Sequence, residues 1–590
     1  MVQFVANKIA EWSLSTGVDE ATLKLAICLF ASFPLNAILK RFPDRDVTLK
    51  NCYVVTVSMI YLFVICDLYS GFRTLFISSC FTFFITRYLN SNLMPLINFT
   101  FVMGHLALNH LSLQFFQEYD STKIDITGAQ MVLVMKLSAF GWNVHDGRQP
   151  ESELTPAQKY RAVKEHPSFL SFMSFAFFYP SLLTGPSFEF VDYQQWLNSE
   201  MFSDLPESKK PGKKRKRAIP KSGKVAFYRV CQAIGWLLIW QKSNGYVQMS
   251  YLFEKDFLSQ NFVSKVWYLY VLGFSYRLKY YAAWTISEAS CIVCGLGYNG
   301  YDHETKTILW NRVQNIDIWG VESAQNIHVV LSAWNQNTNK WLKNYVYLRT
   351  VKKGKKPGFR STLATFLTSA FWHGTRPGYY LAFATGAIVQ TCNRMYRRNL
   401  RPMFLEADGI TPKENKFWYD VASYIATQAA LSYMVQPFMI LDFKKSLYVW
   451  GTVYYYVHII MALTIFAFAG PFKNQIKAYL QKHVPVQKES VTQIIKEKAE
   501  NESQDDVHLG IPEANFDDPD FVNKLAKELE DIKQDMKDWQ DRNGPELEEE
   551  NLRRAFAKLS ADLEDFKKEA KADIERRRAA REENKGKKTK

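Results

Sequence analysis

Residues 447–470, LYVWGTVYYYVHIIMALTIFAFAG, form an apolar run whose single titratable group apart from tyrosines is His458. About 20 such residues in a helix cross the roughly 30 Å hydrocarbon layer of a bilayer, so the run reads as a membrane span. Val421 to Ile440 carries no charge and reads the same way. Working towards the N-terminus, further apolar windows run over Val266–Gly297, Val225–Trp240, Phe169–Leu183, Leu93–Leu113, Leu75–Phe84 and Tyr53–Tyr69, with Tyr379–Val389 on the other side. By this criterion roughly ten to twelve helices enter or cross the membrane. Several windows are too short to span alone or are interrupted by charge. Such segments sit at depth only where protein or cavity water satisfies the backbone, which points to an all-α, polytopic membrane protein with a protein-lined chamber.

The mean hydropathy of −0.20 resembles that of a soluble protein, but it is an average over unlike parts. Three regions are expected: an amphipathic N-terminus over 1–22, a membrane-embedded domain over 23–470, and a charged tail over 471–590. Within the tail, Phe521, Leu525, Leu529 and Ile532 recur at helical spacing, and the reading is a solvated, partly disordered helix. The chain ends in Lys587-Lys588-Thr589-Lys590, which fits a dilysine retrieval signal of endoplasmic reticulum membrane proteins, provided the tail is cytosolic. No cleavable signal peptide is evident in Met1–Thr22.

The net charge is +15, concentrated in short basic loops such as Lys209–Arg217 and Lys352–Lys356. Beside apolar spans these read as cytosolic loops near anionic headgroups, and nucleic acid is not implied. The 8 cysteines show no disulfide framework. Cys291 and Cys294 form a lone CxxC with no second pair at ligand spacing, so no metal is assigned.

Chemistry is suggested by Phe371-Trp372-His373-Gly374-Thr375-Arg376-Pro377-Gly378-Tyr379-Tyr380 and, upstream, Trp334-Asn335-Gln336-Asn337-Thr338-Asn339-Lys340-Trp341. An ionisable residue among apolar spans is by default a functional candidate. The spacing of Asn335 and His373 lets them meet across a helical hairpin around Gly354. A neutral imidazole can take the proton of an alcohol attacking an acyl carbon, and a carboxamide can orient a reactant or donate to the developing oxyanion. Asn337 and Asn339 are alternatives to Asn335 that residue chemistry does not separate. There is no GxSxG elbow and no cysteine near His373 in sequence, which favours direct transfer from an activated donor. An acyl-CoA thioester fits that demand, and its polyanionic part suits a basic cytosolic face. His105, His110 and His458 lack comparable neighbours and read as interhelical hydrogen-bonders.

These two motifs, together with Lys279-Tyr280-Tyr281-Ala282-Ala283-Trp284 followed by Glu288 and with Leu183-Thr184-Gly185-Pro186-Ser187-Phe188, resemble the membrane-bound O-acyltransferases, and within them the fungal lysophospholipid acyltransferases. The resemblance runs from about Leu23 to Gly470. It implies about eleven spans around an internal catalytic chamber, with a cytosolic tunnel for CoA and a lateral opening for the lipid. It also implies fatty acyl transfer from acyl-CoA to the free hydroxyl of lysophospholipids such as lysophosphatidylcholine, lysophosphatidylethanolamine and lysophosphatidic acid, in the endoplasmic reticulum membrane and without a cofactor. In that scheme His373 is the catalytic histidine and Asn335 the motif asparagine. Glu288 and Asp146 match acidic positions of the subfamily that support activity. For Glu288, a role at the site and a structural pairing with Arg277 or Lys279 remain equally open. Competing readings are a sister enzyme acylating sterol, diacylglycerol or protein, a lipid transporter, or a non-catalytic scaffold. The first is opposed by the subfamily-like motifs, and the second by the lack of a convincing internal repeat. Spacing selects neither a headgroup, an acyl chain nor an oligomeric state.

Overall fold

The structure is a computed structural model and describes residues 2–116, 120, 122–211, 218–351, 359–409 and 411–485. The helical pattern of the tail, the dilysine end and most of both basic loops lie outside the described residues. Helices build the domain. Among the described residues the one strand ladder is a two-residue antiparallel pair, Tyr301–Asp302 against Thr307–Ile308.

Three helices are individually long and apolar enough to cross a membrane: Glu20–Leu39, Val47–Ile65 and Met94–Phe115. The first begins where the Asp19 carboxylate accepts the Thr22 N–H at 2.8 Å, so it straddles the expected boundary at residue 22. The longest is Phe262–Cys294, with 33 residues, started by the Asn261 side chain accepting from the Ser264 N–H. It pairs along its length with Gly223–Asn244.

The run that opened the sequence reading is not one straight span. It folds as Phe443–Thr452 and Tyr456–Ala469, bent by 79° through two left-handed residues, Tyr454 and Tyr455. The corner is held by polar groups inside the apolar run. The Trp450 indole donates to the Tyr433 carbonyl at 3.0 Å, and Tyr433 Oη and His458 Nδ1 are 2.7 Å apart. The uncharged window Val421–Ile440 is likewise divided, into Lys416–Met434 and a short helix Gln436–Ile440 with Pro437 in its first turn. Hydropathy sees only the apolar side chains and cannot register these corners.

One central helix carries no window at all in the sequence reading. Thr127–Gly147 is buried on nearly every side, yet it contains Gln130, Lys136, Ser138, Asn143 and Asp146. Protein partners meet most of them: Lys136 Nζ donates to the Phe175 carbonyl at 3.0 Å, Ser138 Oγ accepts from the Trp341 indole at 2.9 Å, and Asn143 donates to Glu189 at 3.0 Å, while Gln130 accepts from Asn109 but leaves its own amide nitrogen without a partner among the described residues. Buried polar groups are tolerated when they are paired in this way.

The interior forms two apolar cores. One gathers the N-terminal helices and reaches Met135, Leu342 and Trp372; the other includes Val330, Leu431 and Met439. All six of these residues face a common chamber, so the cavity lies at the seam between the cores.

Candidate active site

The chamber has a volume of about 1080 Å³ and is lined mainly by apolar and aromatic side chains. All four motifs of the sequence contribute to its wall: Leu183–Ser187, Lys279–Trp284, Trp334–Asn339 and Trp372–Tyr379. Segments scattered over nearly two hundred residues thus converge on one space.

His373 is the last residue of the helix Phe359–His373. The helix stops there because Gly374 turns to φ +142°, a conformation a residue with a Cβ rarely adopts. The next helix starts at once, at Pro377. Its second residue, Gly378, sits against the short helix Gln436–Ile440; a Cβ there would lie 2.2 Å from the Pro437 carbonyl oxygen. That approach seats Phe438 edge-on to the imidazole, with ring centroids 4.9 Å apart. Tyr379 and Phe383 stack on it at 5.8 and 5.3 Å. Aromatic packing therefore fixes the ring plane, while neither ring nitrogen has a hydrogen-bond partner among the described residues. Trp372, the preceding residue, meets the imidazole edge-on at 4.6 Å, its indole donating to the Met131 carbonyl at 3.0 Å.

Asn335 also lines the chamber, at the start of the first arm of the expected helical hairpin: helical turns over residues 336–350 pack against the return helix Phe359–His373, which brings both residues to the same end. It caps the seven-residue helix Gln336–Leu342 with a left-handed backbone, φ +45° and ψ +53°. Asparagine tolerates that conformation better than most residues. Its Oδ1 accepts from Thr338 Oγ1 at 2.8 Å, leaving the NH2 of the amide without a partner among the described residues. The neighbouring asparagines differ. Asn337 donates to Asn315 Oδ1 at 3.1 Å, and Asn339 donates to the Trp334 carbonyl at 2.9 Å. The structure thus separates three residues that sequence chemistry left equivalent. Tryptophans anchor both ends of the motif: Trp334 packs among Tyr280, Tyr281 and Trp284, and Trp341 bonds Ser138.

Glu288 and Asp146 are placed otherwise. Neither lines the chamber. Asp146 receives a bidentate Arg349, at 2.7 and 2.5 Å, and so ties the central helix to the segment that follows the asparagine motif. Glu288 is buried, with Arg229 at 3.6 Å, and its pairing with Arg277 or Lys279 is not observed. Arg277 instead forms a bidentate pair with Glu322, both contacts at 2.9 Å, with Tyr281 Oη donating to the same carboxylate at 2.5 Å. The rise of a helix already argued against the expected pair: eleven residues along one helix separate two side chains by about 16 Å.

The other three histidines singled out in apolar surroundings bond across helices as expected. His105 Nδ1 lies 2.8 Å from Ser78 Oγ, His458 Nδ1 2.7 Å from Tyr433 Oη, and His110 Nε2 3.3 Å from the Trp372 carbonyl. His110 additionally lines the chamber, which its sequence context gave no reason to expect. Among the described residues no three His, Cys, Asp or Glu side chains gather in a way that would hold a metal ion.

The chamber at the seam of the helical domain thus presents an imidazole and a carboxamide to one shared space. The sequence profile of MBOAT, the membrane-bound O-acyltransferase family, matches residues 111–436, and the chain belongs to that family. It is 51% identical over 577 residues to the "Lysophospholipid acyltransferase" of Saccharomyces cerevisiae, covering 93% of each chain. It is 40% identical over 468 residues to the protein of the same name from Schizosaccharomyces pombe, covering 79% of this chain and 90% of that one. To the "Membrane-bound glycerophospholipid O-acyltransferase 2" of Homo sapiens the identity is 31% over 374 residues, 62% of this chain and 69% of that one.

Proposed function

We propose that the chain is a lysophospholipid acyltransferase that moves a fatty acyl group from acyl-CoA to the free hydroxyl of a lysophospholipid, in glycerophospholipid synthesis and remodelling. The names and identities of its relatives support the acceptor class. The observation that carries the chemistry is that His373 and Asn335, each with unused hydrogen-bonding atoms, open onto one chamber.

In this reading the acceptor hydroxyl donates its hydrogen to an imidazole nitrogen of His373. The oxygen attacks the thioester carbonyl carbon as the proton leaves. The NH2 of Asn335 donates either to the acceptor oxygen or to the carbonyl oxygen as it gains charge. Collapse of the tetrahedral species expels the CoA thiolate, which takes the proton back from the imidazolium. Ester and free thiol result, and the histidine ends neutral. No cofactor or metal is invoked; acyl-CoA is a co-substrate.

Asp146 supports the site as a positioning residue by holding Arg349, and Glu288 does so through its neighbour Arg229. The domain over 23–470 holds about eleven spans, several of them broken or short where they border the chamber, which is why length and hydropathy alone single out so few. Val2–Thr16 form a helix at the membrane surface, the charged tail over 471–590 is cytosolic, and the protein resides in the endoplasmic reticulum membrane.

The test is an acyl-transfer assay of purified protein in detergent with oleoyl-CoA and a panel of lysophospholipids, a sterol and diacylglycerol, with His373→Ala in parallel. Transfer to lysophospholipids that is lost in the variant supports the assignment. Transfer confined to sterol or diacylglycerol, or none, overturns it.

A further inference from the structure

A largely apolar chamber in a membrane domain is an unfavourable place for cations with donors to spare. Yet the described lining includes Lys279, Arg376 and Arg277, the last paired with Glu322 outside the lining, and Asp125 is the one lining carboxylate among the described residues. Asp125 is occupied locally, accepting from the N–H and Oγ1 of Thr127 at 2.8 and 2.6 Å.

Arg277 is 5% exposed. Its Nε and Nη2 are committed to Glu322, but its Nη1 is buried with no partner. That nitrogen lies 3.5 Å from where a Cβ on Gly273 would stand, and Gly273 also borders the chamber. Glu322 orients the guanidinium, leaving one edge with donors to spare. Lys279, two residues further along the same helix and also lining the chamber, has neither ion pair nor hydrogen bond among the described residues. Its ammonium rests over the Tyr276 ring at 3.9 Å and lies 5.3 Å from the centre of Tyr280. Aromatic faces hold a cation in place without neutralising it.

The two cations belong to the wall that carries the asparagine motif. Tyr280 and Tyr281 pack against Trp334, at 5.8 and 6.0 Å, and Trp334 precedes Asn335. Tyr281 also receives the Arg277 Nε–H on its oxygen at 3.2 Å. We propose that Arg277 and Lys279 form a phosphate subsite beside the reacting centre, and that the phosphate it takes is the ester of the acyl acceptor. Both substrates of the reading above carry phosphate, and geometry separates them. In a lysophospholipid the phosphate hangs one carbon from a free secondary hydroxyl, whereas in acyl-CoA the nearest phosphate stands a whole pantetheine arm from the thioester. Cations held by the tyrosines that pack on the neighbour of Asn335 suit the short distance. The subsite rests on the acyltransferase reading and gives it a recognition element common to all lysophospholipids, whatever the headgroup beyond the phosphate.

The experiment uses full-length protein in detergent, with KM measured separately for lysophosphatidylcholine and for oleoyl-CoA. Arg277→Lys keeps a cation facing Glu322 while removing the spare donor, and Lys279→Gln touches no ion pair, so a folding defect in the first leaves the second informative. Loss of a charge-assisted contact predicts a rise in lysophosphatidylcholine KM of roughly 10-fold in either variant, with oleoyl-CoA KM within about 2-fold of the parent. Restoration of that KM in Lys279→Arg supports the subsite further. An unchanged lysophosphatidylcholine KM in both variants overturns it, and a rise in oleoyl-CoA KM alone overturns the choice of the acceptor. A parent protein inactive on every lysophospholipid is a separate result, against the functional reading itself.

Discussion

The backbone N–H of Gly378 donates to the Leu441 carbonyl at 3.1 Å, clamping the start of the helix Pro377–Leu400 onto the short helix that carries Phe438. Any side chain at 378 would collide with that backbone, since a Cβ meets Leu441 Cα at 2.6 Å as well as the Pro437 oxygen. Gly378→Ala is therefore expected to force the helices apart, costing about 1–3 kcal/mol, the range for overpacking. Thermal unfolding in detergent checks this through a lowered midpoint. Activity should fall too, because Phe438 loses its place against His373.

Asn335 combines a strained backbone with a free amide, and two substitutions pull these apart. Asn335→Gly relieves the positive φ and removes the carboxamide, so the fold should keep or gain stability while kcat falls by about 10²-fold, the scale of one lost transition-state donor. Asn337→Ala should do the reverse. It breaks bonds to Asn315 and to the carbonyls of Val313 and Gln314, and its loss should appear mainly as instability. Parallel melting and kinetic measurements on the two variants distinguish these outcomes.

Asp146 is argued to act through Arg349. Removing either partner alone strands a buried charge, which costs about 3–5 kcal/mol. Asp146→Ala and Arg349→Ala should each be strongly destabilising, and the double variant much less so than their sum. A double-mutant cycle on thermal stability measures this coupling. Additive effects would detach Asp146 from Arg349.

Much of the site was legible in the sequence because its chemistry is concentrated in short motifs. His373 and Asn335 are found in one chamber, and the flanking glycine and tryptophans do identifiable work there. What was not legible depends on contacts between distant segments. The helix Thr127–Gly147 escaped notice because its buried polar residues dilute the apolar signal, although each finds a partner elsewhere in the chain. The corner at Tyr454 and Tyr455 interrupts a run whose composition is uniform. The Arg277–Glu322 pair joins residues on two helices, and nothing local to either names the other. The left-handed backbone of Asn335 starts the first arm of the expected hairpin at a point where Trp334 packs on one core and Trp341 on the other, a contact between distant segments.

The most direct test of the central claim is the rate of oleoyl transfer from oleoyl-CoA to lysophosphatidylcholine by purified His373→Ala, compared with the parent at equal amounts of folded protein. The imidazole makes no hydrogen bond within the described protein, so its removal should cost ring packing alone and lower the melting temperature modestly, while transfer falls by about 10²–10⁴-fold, the contribution of a general base. A well-folded variant that retains most of the parent rate would contradict the account.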